Sequence, residues 1–300
     1  MRILLTGSSG LIGRTLLADL TSAGHQVVCL VRQPLCANGC FWQPEHDLVQ
    51  IDPDIQLDAV IHLAGAGIAE GRWTRRRKQL IRHSRVHGTA VLCRHLAQLA
   101  HPPRMLLSGS AIGFYGATRA QTVDESAPAG AGFLAEVARD WEAATQPAQA
   151  AGIRTIHLRT GIVLSPHGGA LKNLLLPFRL GLGGRIGHGQ QYMSWVSLAD
   201  ISRMMQFLLA QETLSGPVNL VAPNPVTQQV FAHTLGRVLR RPTYLPLPAS
   251  AARLLLGEMA DALLLTSQRV QPQVLQAAGY SFAAAELEPA LTNLLTSGHR

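Results

Sequence analysis

The first thirteen residues, Met1-Arg-Ile-Leu-Leu-Thr-Gly-Ser-Ser-Gly-Leu-Ile-Gly13, constrain the fold more than any other stretch of the chain. Residues 2–5 are an apolar run of strand length. Gly7, Gly10 and Gly13 follow with the spacing Gly-x-x-Gly-x-x-Gly, and Leu16, Leu17 and Leu20 then recur at helical spacing. Strand, glycine turn and helix in that order make a mononucleotide-binding element. Gly7 permits a tight turn, Gly10 lets a pyrophosphate approach the backbone, and Gly13 lets the helix pack closely on the strand. Ser9, Leu11 and Ile12 complete the turn, and the free amides at the helix start suit phosphates. The alternative is a glycine-rich turn in an unrelated α/β domain.

A second strand over residues 26–31 bears on the cofactor. Chains that bind NAD usually carry Asp or Glu about 20 residues past the glycines, where it bonds the ribose 2′-hydroxyl. Here the strand runs Cys29-Leu-Val-Arg32, with no acid. Arg32 offers a permanent planar cation that suits the 2′-phosphate of NADP. Its other reading is a solvated loop arginine.

Composition sets the outer bounds. With 300 residues, 47% of them hydrophobic, the chain is long enough for one large α/β domain and a smaller lobe. Its 26 Lys and Arg exceed 18 Asp and Glu, a formal charge of +8, and only Lys78 and Lys172 are lysines. No nucleic-acid motif accompanies that charge and aromatic residues are only 5%, so an anionic small-molecule partner is expected rather than nucleic acid. Cys29, Cys36, Cys40 and Cys93 read as free thiols. Cys36, Cys40 and His46 match no paired zinc spacing, and no metal is expected. Met1 leads directly into an apolar strand and no uninterrupted apolar run reaches about 18 residues, so a cytoplasmic protein without a membrane partner is expected.

Further along, Asp58-Ala-Val-Ile-His-Leu-Ala-Gly65, Met105-Leu-Leu-Ser-Gly-Ser110, residues 155–164 and residues 217–222 read as buried strands. Helical patterns cover 73–100 and 133–151, and Trp195-Val-Ser-Leu-Ala-Asp200 opens a helix that reaches about residue 210. Strands separated by helices imply a Rossmann-type, doubly wound parallel sheet with a smaller C-terminal substrate lobe. The expected division is a dinucleotide-binding domain over 1–165, to which 195–225 returns, and a lobe made of 166–194 and 226–300. Ligands in such sheets lie beyond the carboxyl ends of the strands. The glycine turn, Arg32, Leu63, Ala64, Gly65, Ser108 and Ser110 therefore face one crevice.

His62-Leu-Ala-Gly65, Ser108-Gly-Ser-Ala-Ile-Gly-Phe-Tyr-Gly116, Leu158-Arg-Thr-Gly161 and Trp195-Val-Ser-Leu-Ala-Asp200, with the glycine turn, resemble the NAD(P)-dependent epimerase/dehydratase family, the extended short-chain dehydrogenase/reductases. Gly71-Arg-Trp-Thr with Ser84-Arg85, Phe133-Leu-Ala-Glu through Asp140-Trp-Glu142, Pro177-Phe-Arg-Leu-Gly-Leu-Gly-Gly184 and Ala222-Pro-Asn-Pro-Val-Thr227 are similar to an atypical, sugar-nucleotide-epimerase-like subgroup with a C-terminal domain of unknown function. The resemblance implies NADP in the crevice, with Ser108 and Arg85 among its contacts, and Ser110 at the family's catalytic serine position.

The same resemblance implies a Tyr-x-x-x-Lys pair, which this chain lacks. Its tyrosines are Tyr115, Tyr192, Tyr244 and Tyr280, and the residues four further on are Arg119, Val196, Pro248 and Ala284. The helix after the serine strand offers Phe133/Val137, Leu134/Ala138 and Ala135/Arg139 instead. Three readings follow. In the first, the protein is an oxidoreductase or epimerase for a carbonyl or nucleotide-sugar-like substrate, with Ser110 and Tyr115 as catalytic candidates. In the second, it is a non-catalytic NADP(H)-binding redox sensor or scaffold. In the third, it is a partner- or nucleic-acid-binding module with a vestigial site. The arginine run over residues 72–85 reads as a mostly solvated helix face. Arg185, Tyr192 and Trp195 are the substrate-binding candidates, in or beside a glycine-rich segment placed to close over an anionic group. A monomer and a homodimer are both compatible with the sequence.

Overall fold

The computed structural model describes residues 1–32, 40–52 and 55–296. Six parallel strands form its centre: β1 (Arg2–Thr6), β2 (Gln26–Leu30), β3 (Ala59–His62), β4 (Met105–Ala111), β5 (Arg154–Thr160) and β6 (Gly216–Leu220). Their spatial order is β2-β1-β3-β4-β5-β6. Winding reverses between β1 and β3, and the crevice at such a switch point is the ligand position of open α/β sheets. Ile3, Leu4, Leu5, Val60, Ile61, Leu106 and Leu107 are buried, as expected for strands covered on both faces.

Helix α1 (Leu11–Ser22) covers one face of the sheet together with a later helix, and α2 (Arg75–Ala97), α3 (Phe133–Ala143) and α4 (Gln146–Ala150) cover the other. Leu16 and Leu20 of α1 join Ile3, Leu5 and Ile61 in the first core, while Leu92 and Leu96 of α2 join Leu4, Val60 and Leu106 in the second. A separate core unites α5 (Gly169–Arg179) and α7 (Gln228–Leu239) with Trp195, which precedes α6 (Leu198–Ala210), through Leu171, Phe178, Phe231 and Leu235. The helix α8 (Ala249–Leu256) and the short helix Glu258–Ala260 follow α7.

Three elements differ from the sequence expectation. Residues 155–164 are not one strand. The chain leaves the sheet at Gly161, and Ile162–Leu164 pairs instead with Trp195–Ser197. A Cβ on Gly161 would lie 2.6 Å from Val221 Cγ1 and 2.7 Å from Ser194 O, so the backbones converge there as only glycine allows. The 133–151 helix breaks into α3 and α4 around Ala144 and Thr145. Pro147, which has no N–H to continue the helical ladder, sits in the first turn of α4. Trp195 opens a strand rather than a helix, and α6 starts at Leu198, capped by the Ser197 hydroxyl accepting from Asp200 N at 3.1 Å. The reading of Cys36 as a free thiol falls outside the described residues, while Cys29, Cys40 and Cys93 are unpaired.

A buried polar chain crosses the second core. Thr6 Oγ1 accepts from the amides of Leu63 and Ala64 at 3.1 and 3.2 Å and lies 2.7 Å from His62 Nδ1. His62 Nε2 is 2.9 Å from Thr89 Oγ1, which also accepts from Trp141 Nε1 at 2.9 Å. With Thr6 Oγ1 already accepting twice, its hydroxyl donates to Nδ1, which assigns a neutral imidazole protonated at Nε2. A proton on Nδ1 would face an oxygen with no acceptor left for it.

Burial lowers the His62 pKa from 6.5 to about 4. The unfolded chain therefore binds a proton that the folded chain refuses between those values. Stability is complete above about pH 6.5 and falls as pH drops, by roughly 3 kcal/mol once pH 4 is passed. Urea unfolding at pH 7 and pH 4.5 is expected to show most of that loss in the wild type and a smaller pH difference in His62→Asn.

Candidate dinucleotide crevice and its polar floor

The glycine turn joins β1 to α1 at the switch point. Gly7 has φ +72°, and a Cβ on it would lie 2.8 Å from the carbonyl carbon of Leu63 and 2.9 Å from Ala64 N. A Cβ on Gly13 would lie 2.1 Å from Gly7 O, so nothing larger than glycine lets α1 approach the turn. A Cβ on Gly10 would meet only Gly7 O, at 3.3 Å, leaving its outward side open. Gly10 N donates back to Gly7 O at 3.0 Å, and Arg14 Nε donates to Ser9 O at 2.8 Å, which fixes the turn. The N-terminus of α1 has no side-chain cap and no acidic residue in its first turn. Its amides and dipole thus lack a protein anion, which is the arrangement that takes a phosphate. Leu11 packs against the Gly168 backbone at the entry to α5.

Around this turn the structure brings together Leu63, Ala64, Gly65 and Arg85. A Cβ on Gly65 would lie 3.3 Å from the Arg85 guanidinium carbon. Arg85 donates to Ala66 O at 2.9 Å and Ile81 O at 3.2 Å and lies over the Trp141 ring. Burial, with a smaller effect of Arg77, lowers its pKa to about 10. It braces the loop that follows β3. Arg32 lies two residues past the carboxyl end of β2, exposed, with no partner among the described residues. The observed cradle and uncapped amides fit the pyrophosphate of a nicotinamide dinucleotide.

Ser110 and Tyr115 have a different environment from the open crevice expected of them. Asn219, Arg159 and Ser110 lie side by side on β6, β5 and β4. Ser110 Oγ donates to Glu142 Oε1 at 2.6 Å. Arg159 grips the same carboxylate with Nε and Nη2, at 2.8 and 2.9 Å. Its Nη1 donates to the Tyr115 hydroxyl at 2.9 Å, and that hydroxyl donates to Asn219 Oδ1 at 2.7 Å. Burial pushes the Tyr115 phenol up to about 12, against the pull of its bonds to Arg159 and Asn219. Tyr115 is thus a packed, doubly bonded phenol, not an acid poised toward solvent. Ser108 is fully buried, and its hydroxyl has no partner among the described residues.

The substrate-binding candidates separate. Trp195 is fully buried in the third core, and its indole N–H donates to Asn224 O at 3.1 Å, so it supports the lobe instead of lining a cavity. Tyr192 is half-buried beneath the Arg269 guanidinium. Arg185 is exposed and donates to His188 O in its own loop at 3.2 Å. Sequence reasoning missed Glu142, Arg159 and Asn219 as one cluster. The available signal was a charged residue within a strand of a sheet covered on both faces, which requires a buried partner. Among the described residues, no helix is long and apolar enough to cross a membrane, and no three His, Cys, Asp or Glu side chains are grouped to hold a metal ion.

The NAD dependent epimerase/dehydratase family model matches residues 3–220, and that of a domain of unknown function, DUF1731, matches residues 247–294. The chain is 46% identical over 283 residues to the epimerase family protein Mb2239 of Mycobacterium bovis, covering 93% of each. It is 36% identical over 306 residues to the epimerase family protein YfhF of Bacillus subtilis, covering 98% of each. The solved human epimerase family protein SDR39U1 (isoform 2) with NADPH superposes with a TM-score of 0.90 at 30% identity over 99% of both chains. The Thermus thermophilus UDP-glucose 4-epimerase complex with NAD shares the fold, with a TM-score of 0.72 at 18% identity over 98% of both chains. A glycine cradle at the sheet's switch point, the matched segment from 3 to 220 and these full-length relatives establish that the chain belongs to the NAD-dependent epimerase/dehydratase family and carries a C-terminal DUF1731 domain.

Proposed function

We infer that the protein binds NADP(H) in preference to NAD(H) and uses it as an oxidoreductase or epimerase on a carbonyl or nucleotide-sugar-like substrate. The observation that carries this reading is the glycine cradle, where a Cβ at Gly13 would strike Gly7 O and the amides of α1 have no protein anion. The NADPH of the 30%-identical human relative supports it. In this reading Gly7, Gly10 and Gly13 admit the pyrophosphate, the first amides of α1 hold it, and Arg32 takes the 2′-phosphate. Leu63, Ala64 and Gly65, braced by Arg85, wall the opposite side. Bound there, the dinucleotide supplies or takes up a hydride. Arg185 and Tyr192 stand on the C-terminal side as contacts for an anionic substrate group.

A second reading, an NADP(H) sensor without turnover, is favoured by one observation. The hydroxyls of Tyr115 and Ser110 are both committed inside the Glu142–Arg159 cluster. Stopped-flow oxidation of bound NADPH by a panel of carbonyl compounds and nucleotide sugars separates the two. Turnover with any member supports the enzyme. No oxidation, with strong selectivity between NADPH and NADP⁺, supports the sensor.

Two substitutions test the cofactor assignment by calorimetry. Arg32→Ala is expected to weaken NADPH binding by about tenfold or more, the value of one or two charge-assisted hydrogen bonds, and to leave NADH binding nearly unchanged. Equal losses for both would remove Arg32 from the site. Gly13→Ala forces the turn open and is expected to weaken both dinucleotides alike while lowering the melting temperature.

A further inference from the structure

The three residue pairs at Tyr-x-x-x-Lys spacing at the head of α3 contain no phenol and no lysine. A cation nonetheless sits there, brought by another helix. Lys78, in the first turn of α2, places Nζ 4.8 Å from the centre of the Phe133 ring. Nζ donates to both carboxylate oxygens of Glu258, at 2.8 and 3.0 Å. Trp73 packs edge-on against Phe133, with ring centres 5.3 Å apart. Arg72 donates to the carbonyls of Leu254 and Leu255, so the same end of α2 is tied twice to the C-terminal segment.

The place is chemically apt. α2 begins beyond the carboxyl end of β3. The head of α3 packs through Leu134 on Gly113, just beyond the carboxyl end of β4. Lys78 therefore stands beyond the carboxyl ends of β3 and β4, the side of the sheet on which the crevice lies. Its side chain is 31% exposed and that of Glu258 51%, so both water and a ligand reach the pair. The neighbouring cations Arg72, Arg75, Arg76, Arg77, Arg82 and Arg85 are all arginines, whose planar guanidinium suits anion binding and not proton transfer. Lysine is the basic side chain that gives a proton up, and the chain has only two.

We propose that Lys78, oriented by Glu258, is the proton donor to the substrate oxygen, in the role the family gives to tyrosine. The substrate is an aldehyde or ketone whose carbonyl lies beside the Trp73 and Phe133 rings. This rests on the NADP(H)-linked reading above. When a hydride adds to the carbonyl carbon, the C=O π pair moves to oxygen and bonds to a proton from Nζ. The N–H pair stays on nitrogen, the product is the alcohol, and Lys78 regains a proton from water. In the reverse direction the amine takes the alcohol proton as the hydride departs to the oxidised nicotinamide.

Lysine acetylation tests the placement without requiring turnover. The full-length protein is treated with N-hydroxysuccinimidyl acetate alone, with 2′-phospho-ADP-ribose, or with NADPH, and acetylation of Lys78 and Lys172 is followed by mass spectrometry. NADPH is expected to slow Lys78 acetylation severalfold, and 2′-phospho-ADP-ribose, which lacks the nicotinamide, to leave it unchanged. Equal protection by both ligands, or none from NADPH that fluorescence titration shows to be bound, would overturn the placement. Absence of NADPH binding in that titration would instead overturn the cofactor reading, and the proton role with it. Lys78→Arg tests the chemistry, because it keeps the charge and the bond to Glu258. It is expected to bind NADPH normally and to lose about 100-fold or more of the oxidation rate with 4-nitrobenzaldehyde or 9,10-phenanthrenequinone. Retention of that rate by Lys78→Arg, or no oxidation by the NADPH-bound wild type with either compound, would refute proton donation.

Discussion

The architecture depends on one close approach of main chain to main chain. Where β1 ends, Gly7 lies so near the backbone of Leu63 and Ala64 that a single added carbon would collide with both. That approach lets the turn after β1 and the loop after β3 share one wall. The Thr6 hydroxyl holds the other strand end to the same distance by accepting both loop amides. The floor of the crevice is thus defined by backbone groups, whose positions side-chain motion does not alter. His62 and Thr89 continue the arrangement into the core, so the geometry of the glycine-turn end of the crevice is tied to a buried, neutral histidine.

Directly beside this floor, the charged cluster works on a different principle. Glu142 and Arg159 are both largely buried, and each is satisfied by the other and by Ser110, Tyr115 and Asn219. Removing one partner from such a buried pair typically costs about 3–5 kcal/mol, because the other is left uncompensated. The cluster joins three adjacent strands to α3 and to the segment after β4. Its hydroxyls serve that joint, and burial of the tyrosine nearest the serine strand raises its phenol pKa against the pull of those bonds.

The parts of the fold legible in the sequence were those whose causes are local. A glycine triplet between an apolar strand and an amphipathic helix needs no distant information, and neither does the alternation that produced the parallel sheet. The break at Gly161 was not legible, because it answers to Ser194 and Val221 far along the chain, whereas the one at Thr145 carried a local sign in Pro147. Trp195, a substrate-contact candidate because its motif borders the glycine-rich loop, is closed over by residues from α5, α7 and the segment at Leu287. Of the candidate site, the glycine turn and its close backbone approach could be read from spacing. The Glu142–Arg159 joint could not, since its members lie on elements that only the finished sheet brings together.

Gly161 has a mechanical corollary. The strand Arg154–Thr160 belongs to the central sheet and Ile162–Leu164 to the ladder with Trp195–Ser197, with this one residue between them. A side chain at this point would have to displace Ser194 O and Val221, so the change of direction between the two ladders is set by close packing and not by a loose connection.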